Sequence, residues 1–200
     1  MIEKLKSKYG NKCSSINING NVTEITTPTK QMKLCEAVKY SFDVPILINN
    51  NNLGCPGARR SIGYDKEDEK LAANISKNNN IDISFINNAI NTIAFLKDDI
   101  ININLGLTSG MEAILPPDLF IMYVQPTRIT EITYLLAKNK ISPLLSPYSF
   151  LSICGNVFAN SYLNQQVSIS FGCSESRRYG GVDSNEVVVG IPYNYAELLV

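Results

Sequence analysis

The chain has 200 residues, 18 Lys plus Arg against 18 Asp plus Glu, 44% hydrophobic side chains, five cysteines and no histidine. A net charge of zero offers no field to gather nucleic acid or an anionic membrane. The missing imidazole removes Ser-His-Asp and Cys-His catalysis and every zinc site that uses histidine.

The polar opening MIEKLKSKYGNK carries no apolar leader, and no apolar run reaches the roughly 18 residues of a transmembrane helix. A cytoplasmic protein with reduced thiols is therefore expected, rather than a disulfide framework. The first patterned segment, 31–42 (QMKLCEAVKYSF), repeats Met32, Cys35, Val38 and Phe42 on adjoining turns, which predicts a helix with Cys35 on its buried face. Val44 to Ile48 reads as a strand ended by Asn49 to Asn52, and Gly54 to Gly57 as a tight turn into a short helix. The mixed charges of Asp65 to Lys70, with Glu67-Asp68-Glu69 among them, read as a solvated helix face. Lys77 to Asn80 reads as a loop tip. Phe85 to Leu96 places Phe85, Ala89, Ile90, Ile93 and Ala94 on one stripe, the pattern of a core-packing helix, and Asp98-Asp99 reads as a solvated cap.

Ile100 to Leu105 and Leu119 to Val124 are predicted strands. Between them Thr108-Ser109-Gly110 reads as a turn, with phosphate binding as its sharper alternative. Pro126-Thr127 suits a helix start ahead of Ile129, Ile132, Leu135 and Leu136, with Lys138 and Lys140 at the negative end of the helix dipole. Pro143 and Pro147 punctuate the link to a helix carrying Cys154, followed by a strand at Val167 to Phe171 and then Gly172-Cys173. Val187 to Val189 is a last strand before a terminal helix, Tyr195 to Val200. The sum, about six strands and six helices, predicts a single α+β (or α/β) domain over 1–200.

One pattern occurs twice. GCPGARRSIG at Gly54 to Gly63 and GCSESRRYGG at Gly172 to Gly181 are both G-C-x3-R-R-x2-G, and each has a second cysteine upstream, Cys35 and Cys154. Four of the five arginines of the chain, Arg59, Arg60, Arg177 and Arg178, belong to this pattern. Each copy reads helix with cysteine, strand, Gly-Cys, paired arginines, so an internal repeat is expected over 31–64 and 149–182.

Four thiols are the usual complement of an iron–sulfur cluster, and Cys35, Cys55, Cys154 and Cys173 are its expected ligands. Gly54, Gly57, Gly155 and Gly172 would allow backbone amides close to cluster sulfides, and the arginine pairs would balance the negative charge. No CxxC is present, so the argument rests on the repeat rather than on local spacing. A four-cysteine structural zinc site explains the thiols but not the arginines. An anion-binding module explains the arginines as a clamp for phosphate or carboxylate, with cysteines that are core residues or one reactive thiol. The plainest alternative makes the cysteines small core hydrophobes and pairs the arginines with Glu36, Glu175, Asp183 or Glu186. Cys13 has no duplicated partner and is expected to stand apart.

These residues resemble the family known as domain of unknown function 169, the ArCR-type proteins of archaea and anaerobic bacteria. The likeness runs from about Met32 to Val200. It rests on KLCEAV around Cys35, GCPGARRSIGY around Cys55, PDLFIMYVQPTR at Pro117 to Arg128, ICGNVFA around Cys154, FGCSESR around Cys173 and NEVVVGIP at Asn185 to Pro192. The resemblance implies no established activity. It implies a chain lacking an N-terminal helical portion common in relatives and opening on a short segment around Ile16 to Ile18. The anaerobic setting it implies favours an oxygen-sensitive cluster. The expected protein is thus a cytoplasmic iron–sulfur protein, of the 4Fe-4S type, serving electron transfer or redox chemistry. Its partner is a redox protein or, on the alternative reading, a small anionic ligand.

Overall fold

LFIMYV (Leu119–Val124) and VVVGIP (Val187–Pro192) are apolar at nearly every position, a pattern that a strand satisfies when both faces of its sheet are covered. The computed structural model describes residues 1–22, 25–65, 69–97 and 100–200, and places both segments in the middle of a seven-stranded sheet. The strands are β1 (Cys13–Ile18), β2 (Ile46–Asn49), β3 (Asn102–Leu105), β4 (Leu119–Val124), β5 (Leu144–Leu145), β6 (Ser168–Ser170) and β7 (Val187–Pro192), in the order β2-β3-β1-β4-β7-β6-β5. All neighbours are antiparallel except β5 and β6. The antiparallel sheet puts the fold on the α+β side of the expectation.

The helices are α1 (Ile2–Tyr9), α2 (Leu34–Tyr40), α3 (Pro56–Ile62), α4 (Glu69–Asn79), α5 (Ile83–Asn91), α6 (Ser109–Ile114), α7 (Pro126–Lys138), a π-helix (Ser152–Ala159) continued by α8 (Asn160–Asn164), α9 (Ser174–Arg178) and α10 (Tyr193–Ala196), which ends in a 3₁₀ turn (Glu197–Leu199). Side chains alternate along β4. Leu119, Ile121 and Tyr123 join a core with Leu34, Val38, Ala58, Ile62, Ile90, Val157 and Phe158. Phe120, Met122 and Val124 join a second core with Leu5, Tyr9, Ile132, Leu136 and Leu199. The sheet is thus covered on one face by α2, α3, α5 and the π-helix, and on the other by α1, α7 and the C-terminal turn. Cys13 belongs to the second face, away from the other cysteines, three of which pack in or against the first core.

The strand order contains a symmetry. β1, β2 and β3 lie in the order β2-β3-β1, and β4, β6 and β7 in the order β6-β7-β4, joined by the antiparallel β1–β4 pair. An exchange about that seam maps β1, β2 and β3 onto β4, β6 and β7 with their directions kept consistent. It carries α2 onto the π-helix and α3 onto α9. The exchange spans β1 to β3 and β4 to β7, wider than 31–64 and 149–182. The α4–α5 pair and β5 have no counterpart under it.

Several boundaries differ from the sequence expectation. The helix expected from residue 31 begins at Leu34, because Met32 is drawn into a backbone bridge with Leu53. α5 begins at Ile83, where the Asp82 carboxylate accepts the amides of Ser84 and Phe85, and it ends at Asn91. Its buried stripe is Ile86, Ala89 and Ile90, while Phe85 is 45% exposed. The expected loop tip at 77–80 is helical through Asn79 and reverses at Asn80, which has φ 52°. Thr108 caps α6 through its hydroxyl, so Thr108-Ser109-Gly110 is a helix start. The terminal helix begins at Tyr193, and α1 precedes β1. Glu67-Asp68 and Asp98-Asp99 lie outside the described residues.

Candidate functional site: a cavity lined by four thiols

The repeated motif is the start of a short helix. In the first copy Pro56 takes the first helical position, suited to a residue without an amide hydrogen, and Cys55 is the N-cap. The amides of Ala58 and Gly57 turn toward its sulfur. In the second copy Cys173 is the N-cap of α9. The Ser176 amide donates to Cys173 Sγ at 3.3 Å, and the Cys173 amide donates to Ser176 Oγ at 2.7 Å. Both arginine pairs fall in the last turn, where the dipole favours cations.

The upstream cysteines come from the helices that pack on these two. Cys35, in the first turn of α2, points its thiol at the Glu175 carbonyl of α9, 3.7 Å away. Gly180 permits that approach: a Cβ there would stand 2.9 Å from Cys35 Cβ. Cys154, in the π-helix, packs on α3. A Cβ on Gly57 would stand 3.9 Å from Cys154 Sγ and collide with Leu151 Cδ2 at 2.4 Å. Long π-helical segments are rare and gather at functional sites; this one spans eight residues and starts at Leu151 in the left-handed region, φ 53°.

Contacts therefore cross between the halves, α2 with α9 and α3 with the π-helix, and the symmetry exchange converts one pair into the other. The thiols follow the same scheme. All four line one cavity of about 550 Å³, and none of the five cysteines is in a disulfide. Burial pushes the Cys35 thiol up to about 12, and negative charge on Cys173, then on Cys55, adds to it. Burial also raises Cys154 well above the ordinary thiol range, with charge on Cys55, then on Cys173, contributing. Cys55 is raised by burial and is eased down by the Ala58 amide and the Lys33 ammonium. Cys35, Cys55 and Cys154 are thus held neutral chiefly by burial, with charge on the neighbouring thiols adding to it. Among the described residues no three Cys, Asp or Glu side chains form a group placed to hold one metal ion.

The arginines lie elsewhere than expected. None of the four lines the cavity. Arg59 holds Asp65 through two hydrogen bonds, at 2.8 and 2.9 Å, and donates to the carbonyls of Asn50 and Leu53. Arg60, only 4% exposed, donates to the carbonyls of Ile93 and Ile90 and lies over the Phe95 ring. Arg177 donates to the carbonyls of Asp183 and Phe171. The Arg178 guanidinium lies over Tyr179. Of the acids expected to pair with them, Glu175 pairs with Lys33, and Asp183 and Glu186 pair with Lys12. Gly54 sits tightly against Gln31, and Gly172 has φ 86°; neither lines the cavity, whereas Gly57 does.

Two residues beside the thiols went unnoticed in the sequence. Lys33 precedes Cys35, lines the cavity, pairs with Glu175 across the halves and lies 4.5 Å over the Tyr179 ring. The lysine of KLCEAV was its signal. Tyr123 on β4 is 3% exposed, and its hydroxyl has no hydrogen-bond partner among the described residues. Its pKa is raised first by burial and then by charge on Cys35 and Cys173, and its ring meets Phe42 edge-on at 5.1 Å. Period-two alternation alone placed it on the thiol face.

Residues 15–200 match the model of the family described as DUF169, uncharacterised ArCR. The chain belongs to the DUF169 family. The match begins at residue 15, so it takes in most of β1 as well as the region from Met32 onward. No curated protein and no solved structure matches this DUF169 chain significantly. Among its described residues no helix is long and apolar enough to cross a membrane.

Proposed function

We propose that this protein holds an iron–sulfur cluster on Cys35, Cys55, Cys154 and Cys173 and serves a redox role in the cytoplasm of an anaerobe. The observation that carries the reading is that four unpaired thiols, two from each half of the sheet, line one cavity and act on one another electrostatically. The donor set fits: thiolate is the ligand such clusters take, and four is the usual number. The thiols need not converge on one ion, because in a cubane each iron takes its own thiolate; a mononuclear zinc site needs the convergence that these side chains lack. When bound, the cluster would supply one-electron chemistry.

The residues of the chain have defined tasks around it. Gly57 keeps a Cβ out of the space beside Cys154, and the amides at Cys55 and Cys173 stabilise negative sulfur. Lys33 is the ammonium beside the thiols. The Tyr123 hydroxyl, without a partner among the described residues, is a buried donor near enough to Cys35 and Cys173 to feel their charge. Leu151, Phe150 and Ile153 keep the wall apolar, which limits water at the site. The anion-clamp alternative loses its support, since the arginines bind the frame.

Anaerobic purification from iron-replete cells tests the reading. Matched iron and acid-labile sulfide with broad visible absorbance are expected, lost on Cys35→Ala or Cys154→Ala and kept on Cys13→Ala. A colourless, iron-free protein from such cells would sink the proposal.

A further inference from the structure

The thiols line only part of the cavity. The remaining wall comes from the α4–α5 pair and from the segment 147–151. The α4–α5 pair is a part of the chain that the exchange about the β1–β4 seam leaves unmatched. The link from α3 to β3 contains α4 and α5, whereas the link from α9 to β7 is residues 179–186 alone. The symmetric scaffold thus supplies the thiols, and the unmatched α4–α5 pair, with the segment 147–151, supplies the space beside them.

The chemistry of those segments is specific. Phe85, Tyr148 and Phe150 form an aromatic group on the wall: Phe85 meets Tyr148 edge-on at 5.6 Å, and Tyr148 stacks on Phe150 at 5.2 Å with 7° between the planes. Phe85 is large and 45% exposed although the stripe of its own helix is buried beside it, so its exposure serves the cavity rather than the core. Along α4, Asn74 and Asn78 are one turn apart and both line the cavity, so their amides share a face. The charged side chains of the wall are Lys33 and Glu175, and they neutralise each other. An anionic ligand would meet no uncompensated cation among the described residues of the wall, and burying its charge would go unrewarded. A volume of about 550 Å³ lies in the usual range for small-molecule sites, about 300–1,000 Å³.

We propose that this part of the cavity binds a neutral, planar aromatic molecule bearing an amide or carbonyl edge, its ring against Phe85 and Tyr148 and its polar edge toward Asn74 and Asn78. The inference deepens the redox reading by naming the class of molecule that reaches the thiols, and that placement beside a redox centre rests on that reading. The binding itself does not.

Calorimetric titration of the full chain, under anaerobic conditions, with 2-naphthamide and with 2-naphthoate tests it, since the two probes differ chiefly in charge. The amide is expected to bind at least about tenfold more tightly than the carboxylate. Phe85→Ala and Tyr148→Ala should each weaken it about fivefold or more, with the melting temperature nearly unchanged because neither side chain is fully buried. Equal or tighter binding of naphthoate, no binding of naphthamide, or undiminished binding in both aromatic variants would overturn the proposal. Naphthamide binding to an iron-free protein supports this site and sinks the redox reading. Iron and sulfide without naphthamide binding does the reverse.

Discussion

Cys35 and Cys154 are acids buried as neutral thiols, and that gives the metal-free protein a pH dependence of fixed sign. Burial, then charge on Cys173 and Cys55, pushes Cys35 up to about 12, against about 8.5 for a free cysteine. The folded-state value is the raised one, so the unfolded chain loses its protons first. Stability from holding the thiol neutral is complete below about pH 8.5 and is lost as pH rises toward the folded value, at up to ~1.4 kcal/mol per pH unit for each such thiol. The melting temperature of stripped protein should therefore fall steeply above about pH 8.5, and in Cys35→Ala/Cys154→Ala that fall should be shallower. Equal slopes would mean that these thiols titrate freely. A second residue-scale prediction concerns Arg60, whose guanidinium satisfies two buried carbonyls. Arg60→Ala should lower unfolding stability in urea by about 3 kcal/mol, the cost of leaving such groups unpaired, while the iron content of the folded fraction stays the same. Unchanged stability with lost iron would return the arginines to the charge-balancing role that the sequence suggested.

At the scale of elements, the gathering of the four thiols around one cavity depends on two close packings. Gly57 lets α3 lie on the π-helix, and Gly180 lets the end of α9 lie on α2. A Cβ on Gly57 meets Leu151 Cδ2 at 2.4 Å, and one on Gly180 meets the Ser176 carbonyl oxygen at 2.7 Å and Cys35 Cβ at 2.9 Å. Either alanine substitution should cost about 1–3 kcal/mol, as overpacking does, and should lower iron loading per folded molecule. Gly110→Ala, on α6 and in open space apart from a 3.9 Å approach to Thr108 Oγ1, is the control that should leave loading intact. If Gly57→Ala loads as well as the native chain, the thiols do not need this packing. The same elements show what a sequence discloses. Leu119 to Val124 and Val187 to Val189 were legible as strands because burial on both faces leaves no polar position to blur the pattern, while β7 runs on to Pro192. Cys55 and Cys173 were legible because a repeated glycine, thiol and arginine pair marks a repeated helix start. The arginines misled because sequence spacing reports that a cation sits in a last turn and not where its long side chain goes: Arg60 turns into the core toward Ile90 and Ile93, which lie at no fixed offset from it. The π-helix gave no signal, since all eight of its residues are buried and no exposed stripe marks its period.

For the whole molecule, the decisive relation is that Cys35 and Cys55 belong to one half of the sheet and Cys154 and Cys173 to the other, with β1–β4 pairing as the direct strand contact between them. Ligation by all four thiols would tie together positions far apart in sequence, acting as a cross-link that closes a long loop. By the chain-entropy relation, a link across a loop on the order of a hundred residues restricts the unfolded chain by about 4–5 kcal/mol, and tight binding to the folded state alone adds stability by mass action. Loaded protein should then unfold at a clearly higher urea concentration than stripped protein, and removing the metal anaerobically should reverse the shift. The location of the gain separates a cross-link from a local clamp. If the thiols join the halves, amide exchange should slow on loading in β2 and β6 together, although they lie on opposite sides of the β1–β4 seam. Protection confined to α3 and the π-helix would mean that only the Cys55–Cys154 pair is engaged, and protection confined to α2 and α9 only the Cys35–Cys173 pair. Because the exchange about the seam interconverts those pairs, a single centre spanning all four should slow both sets to a similar degree, whereas an adventitious metal on one pair should slow one set alone.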